Sequence, residues 1–247
     1  MKILGVIPAR YASTRLPGKV LLDICGKPMI QIVYERASRA SCLDELVVAT
    51  DDDKVYQAVN AFGGKAVMTD SSHPNGTSRA AELAKLREVD FVINIQGDEP
   101  LLDPEMIEEV ARTLTSSPEA VSATLCRPIE DEKALANPNV VKVVCNHAGY
   151  ALYFSRSLIP YPREGFKIPV YEHVGIYGYT RDFLLKYVTL PMTPLAETES
   201  LEQLKVLENG YGMKVSVTQC RQIGPNVNTH EDLEEVRGLL NHALEGQ

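Results

Sequence analysis

The chain has 247 residues, with 25 Lys+Arg against 33 Asp+Glu, a formal net charge of −8 at pH 7. With 45% hydrophobic and 23% charged residues, it is long and apolar enough to bury an ordinary core, which excludes a disordered chain or a stapled mini-protein. The acidic balance excludes a general nucleic-acid surface, yet a small anionic ligand can still be held by a local cluster of cations.

The elements follow in chain order. Lys2–Ile7, Glu45–Ala49, Lys65–Met68, Phe91–Ile95 and Val121–Leu125 are short runs rich in Val, Ile and Ala. Near-continuous apolar runs of this kind suit strands of a parallel sheet covered on both faces. Helices are expected between them. Met29–Ala40 follows Pro28, a residue at home at a helix start. Asp52–Phe62 puts Val55, Val59 and Phe62 on one face and stops at Gly63-Gly64. Asp103–Leu114 carries Ile107, Val110 and Leu114 at helical spacing. Between Met68 and Phe91 the pattern assigns no element.

Beyond residue 126 the pattern changes. Val140–Cys145 and Tyr150–Phe154 flank Asn146-His147-Ala148-Gly149, a hairpin-like connection. A proline-rich loop, Ile159–Arg163, precedes a strand over His173–Tyr179. Helices follow at Arg181–Val188 and Glu197–Asn209, then a strand at Met213–Thr218 and a last helix from Glu231 to about Leu244. The expectation is an α/β fold, a mostly parallel sheet flanked by helices, in one domain over 1–247 with an antiparallel segment at about 130–200. That segment could line a substrate site, pair two subunits, or both. The five cysteines are odd in number and scattered, without a C-x-x-C pair, as expected of reduced thiols in the cytoplasm. The apolar start is too short for a signal peptide, and no stretch approaches the ~20 apolar residues of a membrane span.

The chemistry concentrates at Pro8-Ala9-Arg10-Tyr11-Ala12-Ser13-Thr14-Arg15-Leu16-Pro17-Gly18-Lys19. It leaves the first strand at its carboxyl end, where ligands of open α/β sheets bind. Neither G-x-G-x-x-G nor G-x-x-x-x-G-K-[ST] is present, so the dinucleotide and P-loop readings lose their anchor. On the residues alone, Arg10, Arg15 and Lys19 are either a solvated basic loop or a cradle for a triphosphate and a leaving pyrophosphate. Asp98, in Gln96-Gly97-Asp98-Glu99-Pro100 at a strand end, is either a turn former or a ligand for Mg²⁺.

The basic string resembles the N-terminal signature of the CMP-sugar-acid synthetase family. Further stretches narrow the likeness to the 3-deoxy-manno-octulosonate (KDO) branch: Gly26-Lys27-Pro28-Met29-Ile30-Gln31, Val48-Ala49-Thr50-Asp51-Asp52, Phe62-Gly63-Gly64, Gln96–Pro100, Ala151-Leu152-Tyr153-Phe154-Ser155-Arg156 and Leu201-Glu202-Gln203-Leu204. The resemblance implies a nucleotidyltransferase fold of Rossmann-like kind. The implied reaction is attack of the sugar acid's C2 hydroxyl on the α-phosphorus of CTP, giving CMP-KDO and pyrophosphate for lipopolysaccharide synthesis, in a cytoplasmic homodimer. It further implies catalytic roles for Arg10, Lys19 and Asp98. Arg15 would support the triphosphate, Pro8 and Ala9 would meet cytosine through backbone groups, and Asn75, Gly76, Thr77 and Arg79 would form a second nucleotide-binding stretch. Gly76 there would let the backbone approach the base or ribose closely. Gln96, Arg156, His173, Tyr177 and Glu202 would bind the sugar acid, and Asp98 with position 228 would hold Mg²⁺. Without the resemblance, His173 reads as a structural histidine and Glu202 as part of an exposed helix face.

Three departures from the family pattern stand out. Val227-Asn228-Thr229 has an amide where Asp is usual. Gly76-Thr77-Ser78-Arg79 lacks the usual carboxylate at its third position. Glu172 and Lys205 stand where a basic residue and Arg are common. The amide at 228 brings no charge, so metal affinity should fall. The charge changes at 172 and 205 admit an alternative acceptor, such as an amino-substituted 3-deoxy-ulosonic acid. Loss of both carboxylates admits a nucleotide-binding regulator without turnover.

Overall fold

The computed structural model describes residues 1–12, 16–220 and 224–245. The chain divides into two compact units, Met1–Glu108 with Cys220–Gln247, and Glu109–Gln219. In chain order the first unit carries β1 (Ile3–Pro8), a short 3₁₀ turn (Lys19–Leu21), a small hairpin of β2 (Asp23–Ile24) and β3 (Lys27–Pro28), α1 (Met29–Ala37), β4 (Glu45–Thr50), α2 (Asp53–Ala61), β5 (Ala66–Met68), α3 (Gly76–Lys85), β6 (Phe91–Asn94) and the start of α4 (Pro104–Thr115). Its parallel sheet runs β6-β1-β4-β5. Leu4, Val6, Ile7, Val47, Val48 and Ala49 are wholly buried, as strands enclosed on both faces must be.

The expected strands are present to within a few residues, and α2 and α3 each start on a side-chain cap. Asp52 caps α2, its Oδ1 accepting from the N–H groups of Lys54 (2.8 Å) and Val55 (3.3 Å). The helix α3 is new. Asn75 Oδ1 accepts from Ser78 N at 2.8 Å, while Ser78 Oγ lies 3.4 Å from Asn75 N, so the two residues close a capping box. A Gly-Thr-Ser first turn has low helix propensity and hid this element from the sequence pattern.

The second unit carries β7 (Ser122–Pro128), α5 (Glu132–Ala136), β8 (Lys142–Cys145), β9 (Ala151–Ser155), β10 (Tyr171–Thr180), α6 (Arg181–Tyr187), α7 (Pro194–Glu199), α8 (Leu204–Glu208) and β11 (Met213–Val217); α9 (His230–Glu245) then returns to the first unit. Here β7 lies between β11, parallel to it, and β10, antiparallel to it. β8 pairs antiparallel with β10 and with β9, so an antiparallel segment does interrupt the parallel pattern.

The single helix expected over Glu197–Asn209 is two. Ser200 takes a left-handed conformation (φ 51°) that closes α7, with Leu201 N bonded to Ala196 O at 3.0 Å. Glu208 of α8 reaches back to accept from the N–H groups of Leu195 and Ala196 in the first turn of α7, which ties the two short helices together.

Lys142, on β8, is fully buried. Its ammonium donates to the carbonyls of Asn137 (2.8 Å), Val140 (2.8 Å) and Arg156 (3.0 Å). Burial lowers its pKa, yet the three acceptors favour the charged form. Lys142→Met keeps the volume and leaves three carbonyls without this donor. The expected loss is about 2–3 kcal/mol in urea unfolding; a loss under about 0.5 kcal/mol would show the carbonyls find water instead.

Candidate nucleotide and sugar-acid sites

The first unit's site is built at the carboxyl ends of β1 and β6. Pairing of β1 with both β4 and β6 puts the segments that leave these strands side by side. The approach is close: a Cβ on Gly97 would lie 2.9 Å from the Pro8 carbonyl oxygen, and one on Gly76 would lie 3.1 Å from the Pro8 ring. Glycine at 97 is therefore a steric requirement. Gly76 also lets α3 start against Pro8.

Lys19, Asp98 and Asn228 come together. Lys19 Nζ is 2.6 Å from Asp98 Oδ2 and 3.5 Å from Asn228 Oδ1. The chain that carries Asn228 is tied down by Val227 N, which donates to Asp98 O at 3.0 Å. It is fixed again by Asp232, whose Oδ2 accepts from Asn228 N and Thr229 N at 2.8 Å each. Burial opposes the charge on Asp232, but these N–H groups, the Thr229 side chain and the Lys19 ammonium hold its carboxyl below the usual range. Asp232 was missed in the sequence, although Thr229-x-x-Asp232 ahead of an apolar-patterned helix is a capping-box signal. Glu99 was missed too. Burial first, and then the Asp98 charge, push its carboxyl up to about 8, against the Asn226 hydrogen bond, so Glu99 is mostly protonated at neutral pH.

Other expected nucleotide residues are placed less directly. Arg10 is exposed. Ala9 donates its N–H to Ala49 O at 2.9 Å and Pro8 has none, so backbone contact to a base there falls to carbonyl oxygens. A cytosine amino group is a matching donor. Asn75 is committed to the α3 cap, and Thr77 is buried, with Oγ1 accepting from Asn94 Nδ2 at 3.4 Å. Arg79 is turned inward: it is 3% exposed, bonded to Thr69 Oγ1 and paired with Asp51 at 3.0 Å. Its guanidinium therefore anchors α3 to the residue just past β4. Arg15 lies outside the described residues.

In the second unit, His173 and Tyr177 meet on β10, their rings 5.3 Å apart. Tyr177 Oη donates to Gln203 Oε1 at 3.5 Å, beside Glu202. Glu202 O accepts from Tyr187 Oη at 3.3 Å. Arg156 is occupied differently from expectation, its guanidinium donating to the carbonyls of Glu199, Pro138 and Ser200, which holds the αL turn after α7. The two charge departures are both satisfied within this unit: Glu172 pairs with Arg127 at 2.9 Å, and Lys205 Nζ sits 4.3 Å over the Tyr187 ring. Gln96, in the first unit, is partly buried just past β6.

Burial pushes the His173 imidazole down to about 3 from its ordinary 6.5, so at neutral pH it is an uncharged hydrogen-bonding group. Thr124 Oγ1 donates to Ile176 O at 2.7 Å, and His173 Nε2 lies 3.0 Å from Thr124 Oγ1 itself. That leaves Nε2 as the protonated nitrogen and Nδ1 as an acceptor. Between pH 6.5 and 3 the unfolded chain binds a proton that the folded chain refuses. This contribution to stability is thus present above 6.5 and lost as pH falls through that window. Urea unfolding should show His173→Gln losing about 2 kcal/mol less than the parent between about pH 7 and pH 5; equal losses would mean the ring is not held neutral.

The chain matches the family model described as Cytidylyltransferase over residues 4–219. It is 53% identical over 237 residues to the 3-deoxy-manno-octulosonate cytidylyltransferase of Fusobacterium nucleatum, covering 96% of each chain. It is 49% identical over 244 residues to that of Solibacter usitatus, covering 98% of this chain and 96% of the other. Among solved structures it is similar to CMP:2-keto-3-deoxy-manno-octonic acid synthetase complexed with CTP, with TM-score 0.94 and 48% identity over 98% of this chain and 100% of that one. A cytidylyltransferase from Leptospira borgpetersenii, 18% identical with TM-score 0.65, covers 98% of this chain and 87% of its own, and shares the fold alone. At such identity over nearly its whole length, the chain belongs to the cytidylyltransferase family, in the branch of the 3-deoxy-manno-octulosonate cytidylyltransferases.

Proposed function

We propose that the chain transfers the cytidylyl group of CTP to the C2 hydroxyl of 3-deoxy-manno-octulosonate, releasing pyrophosphate and supplying CMP-KDO for lipopolysaccharide synthesis. The observation that carries this reading is the convergence of Lys19, Asp98 and Asn228 at the carboxyl ends of β1 and β6, in a chain 48% identical to a synthetase solved with CTP. The hydroxyl oxygen forms a bond to the α-phosphorus as the bond to the β-phosphate's bridging oxygen breaks, and the hydroxyl proton departs. Such a transfer needs in-line positioning and charge neutralisation more than covalent help from the protein.

Arg10 and Lys19 hold the triphosphate, with Arg15 in support, and the carbonyls at Pro8 and Ala9 face the cytosine amino group. Asn75, Gly76 and Thr77 fix the start of α3 beside the base, and Arg79 anchors that helix from behind. His173, Tyr177 and Glu202 bind the sugar acid through hydrogen bonds, with Arg156 shaping the turn after α7.

Magnesium fits the donors present. The Asp98 carboxylate and the Asn228 amide are hard oxygens close enough together to share one cation, the lysine ammonium. Few protein oxygens completed by phosphate and water are what Mg²⁺ prefers. When bound, the ion offsets phosphate charge as pyrophosphate leaves. Among the described residues no helix is long and apolar enough to cross a membrane. The odd number and scatter of the cysteines support action in a reducing compartment, the cytoplasm. The exposed Leu152, Tyr161, Phe166 and Ile168 support a homodimer through the 130–200 segment.

Purified protein with CTP, Mg²⁺ and KDO should release pyrophosphate. Release with another 3-deoxy-ulosonic acid but not KDO would overturn the acceptor, and silence with every acid would overturn turnover itself. Lys19→Ala should lower kcat about a hundredfold or more. Asp98→Asn should remove most of the magnesium dependence together with the rate. Asn228→Asp should lower the magnesium concentration giving half-maximal rate; an unchanged requirement would exclude Asn228 from the metal's surroundings.

A further inference from the structure

Lys19 Nζ occupies the point where the two oxygens assigned to magnesium converge, 2.6 Å from Asp98 Oδ2 and 3.5 Å from Asn228 Oδ1. The pair is enclosed, with side-chain exposures of 13% for Lys19 and 24% for Asp98. An ammonium in such a place is costly to leave without a counter-charge. Of the two side-chain oxygens it contacts, only Asp98 carries a formal charge; Asn228 is a neutral amide. The Asp232 carboxylate is nearby, but its Oδ2 is engaged by the N–H groups of Asn228 and Thr229.

A divalent ion arriving alone would therefore have to share one carboxylate with a lysine already in contact with it. Like charges at that distance repel strongly where water is partly excluded. A triphosphate changes the balance. It offers the ammonium new oxygen acceptors and brings several negative charges, after which Asp98 is free for the metal.

We infer that Lys19 is the resident cation of the Asp98–Asn228 site. It keeps divalent metal out of the nucleotide-free protein and releases Asp98 only when a triphosphate takes the ammonium. Metal then enters with or after the nucleotide, not ahead of it. The neutral amide at 228 contributes to this order, because a carboxylate there would supply charge enough for both cations. The inference rests on the magnesium reading of these residues.

Electron paramagnetic resonance of Mn²⁺, as a probe for Mg²⁺, tests it without turnover. Nucleotide-free Lys19→Met should bind Mn²⁺ about tenfold tighter than the parent, or more, and Asn228→Asp should also bind it tighter. Circular dichroism checks that each variant is folded. Parent-like Mn²⁺ affinity in folded Lys19→Met would overturn the inference. If that variant does not fold, parent-like affinity in Asn228→Asp would overturn it instead. A separate arm gives the parent a non-reacting CTP analogue. If the analogue binds but the complex holds no more Mn²⁺ than the free analogue does, the magnesium reading itself fails.

Discussion

Most of the first unit's chemistry depends on β1 having a parallel partner on each side. With β4 on one edge and β6 on the other, the ends of β1 and β6 are neighbours, and segments far apart in the chain leave the sheet together. Pro8 and Ala9 owe their approach to residues 96–100 to that pairing and to the absence of a side chain at Gly97, where the Pro8 carbonyl passes. The pairing is supported by a strand core of Leu4, Val6 and Ile7 that excludes water entirely.

Helix caps then fix what the sheet brings near. The box closed by Asn75 and Ser78 starts α3 against Pro8, and Asp232 folds back onto the N–H groups of Asn228 and Thr229 at the start of α9. Both are local devices that satisfy orphan donors; the first fixes backbone against Pro8, and the second fixes the backbone that carries Asn228 beside Lys19. In the second unit the corresponding work is done by side chains on carbonyls: Lys142 gathers three, and the Arg156 guanidinium another three.

The parallel strands were legible because burial on both faces leaves a continuous apolar run, and β1, β4 and β6 have no polar residue between their first and last positions. The site residues on that sheet were legible for the same reason: Lys19 and Asp98 follow strands whose ends could be read. Helix α3 was not, since its signal lies in a cap with serine at the third position and its first turn is Gly-Thr-Ser. The break at Ser200 was hidden because nothing in Glu197–Asn209 is glycine or proline; the left-handed residue is held by neighbours distant in sequence, among them Arg156. Arg79 illustrates a further limit. A motif locates the residue, but only the fold reveals that its guanidinium turns toward Asp51 and Thr69. Only the family resemblance pointed to His173, Tyr177 and Glu202 as the proposed sugar-acid contacts; periodicity could not single them out.

Ser78 has a consequence for how such a site can vary. In the cap of α3 the position needs an oxygen that can approach the Asn75 N–H, and a hydroxyl does this as a carboxylate does. The mechanical duty of the residue is thus separable from its charge. A family can change the electrostatic potential beside the proposed nucleotide site at this position while the helix keeps its start, its register and its contact with Pro8. The scaffold is indifferent to the exchange, and only the ions and phosphates would register it.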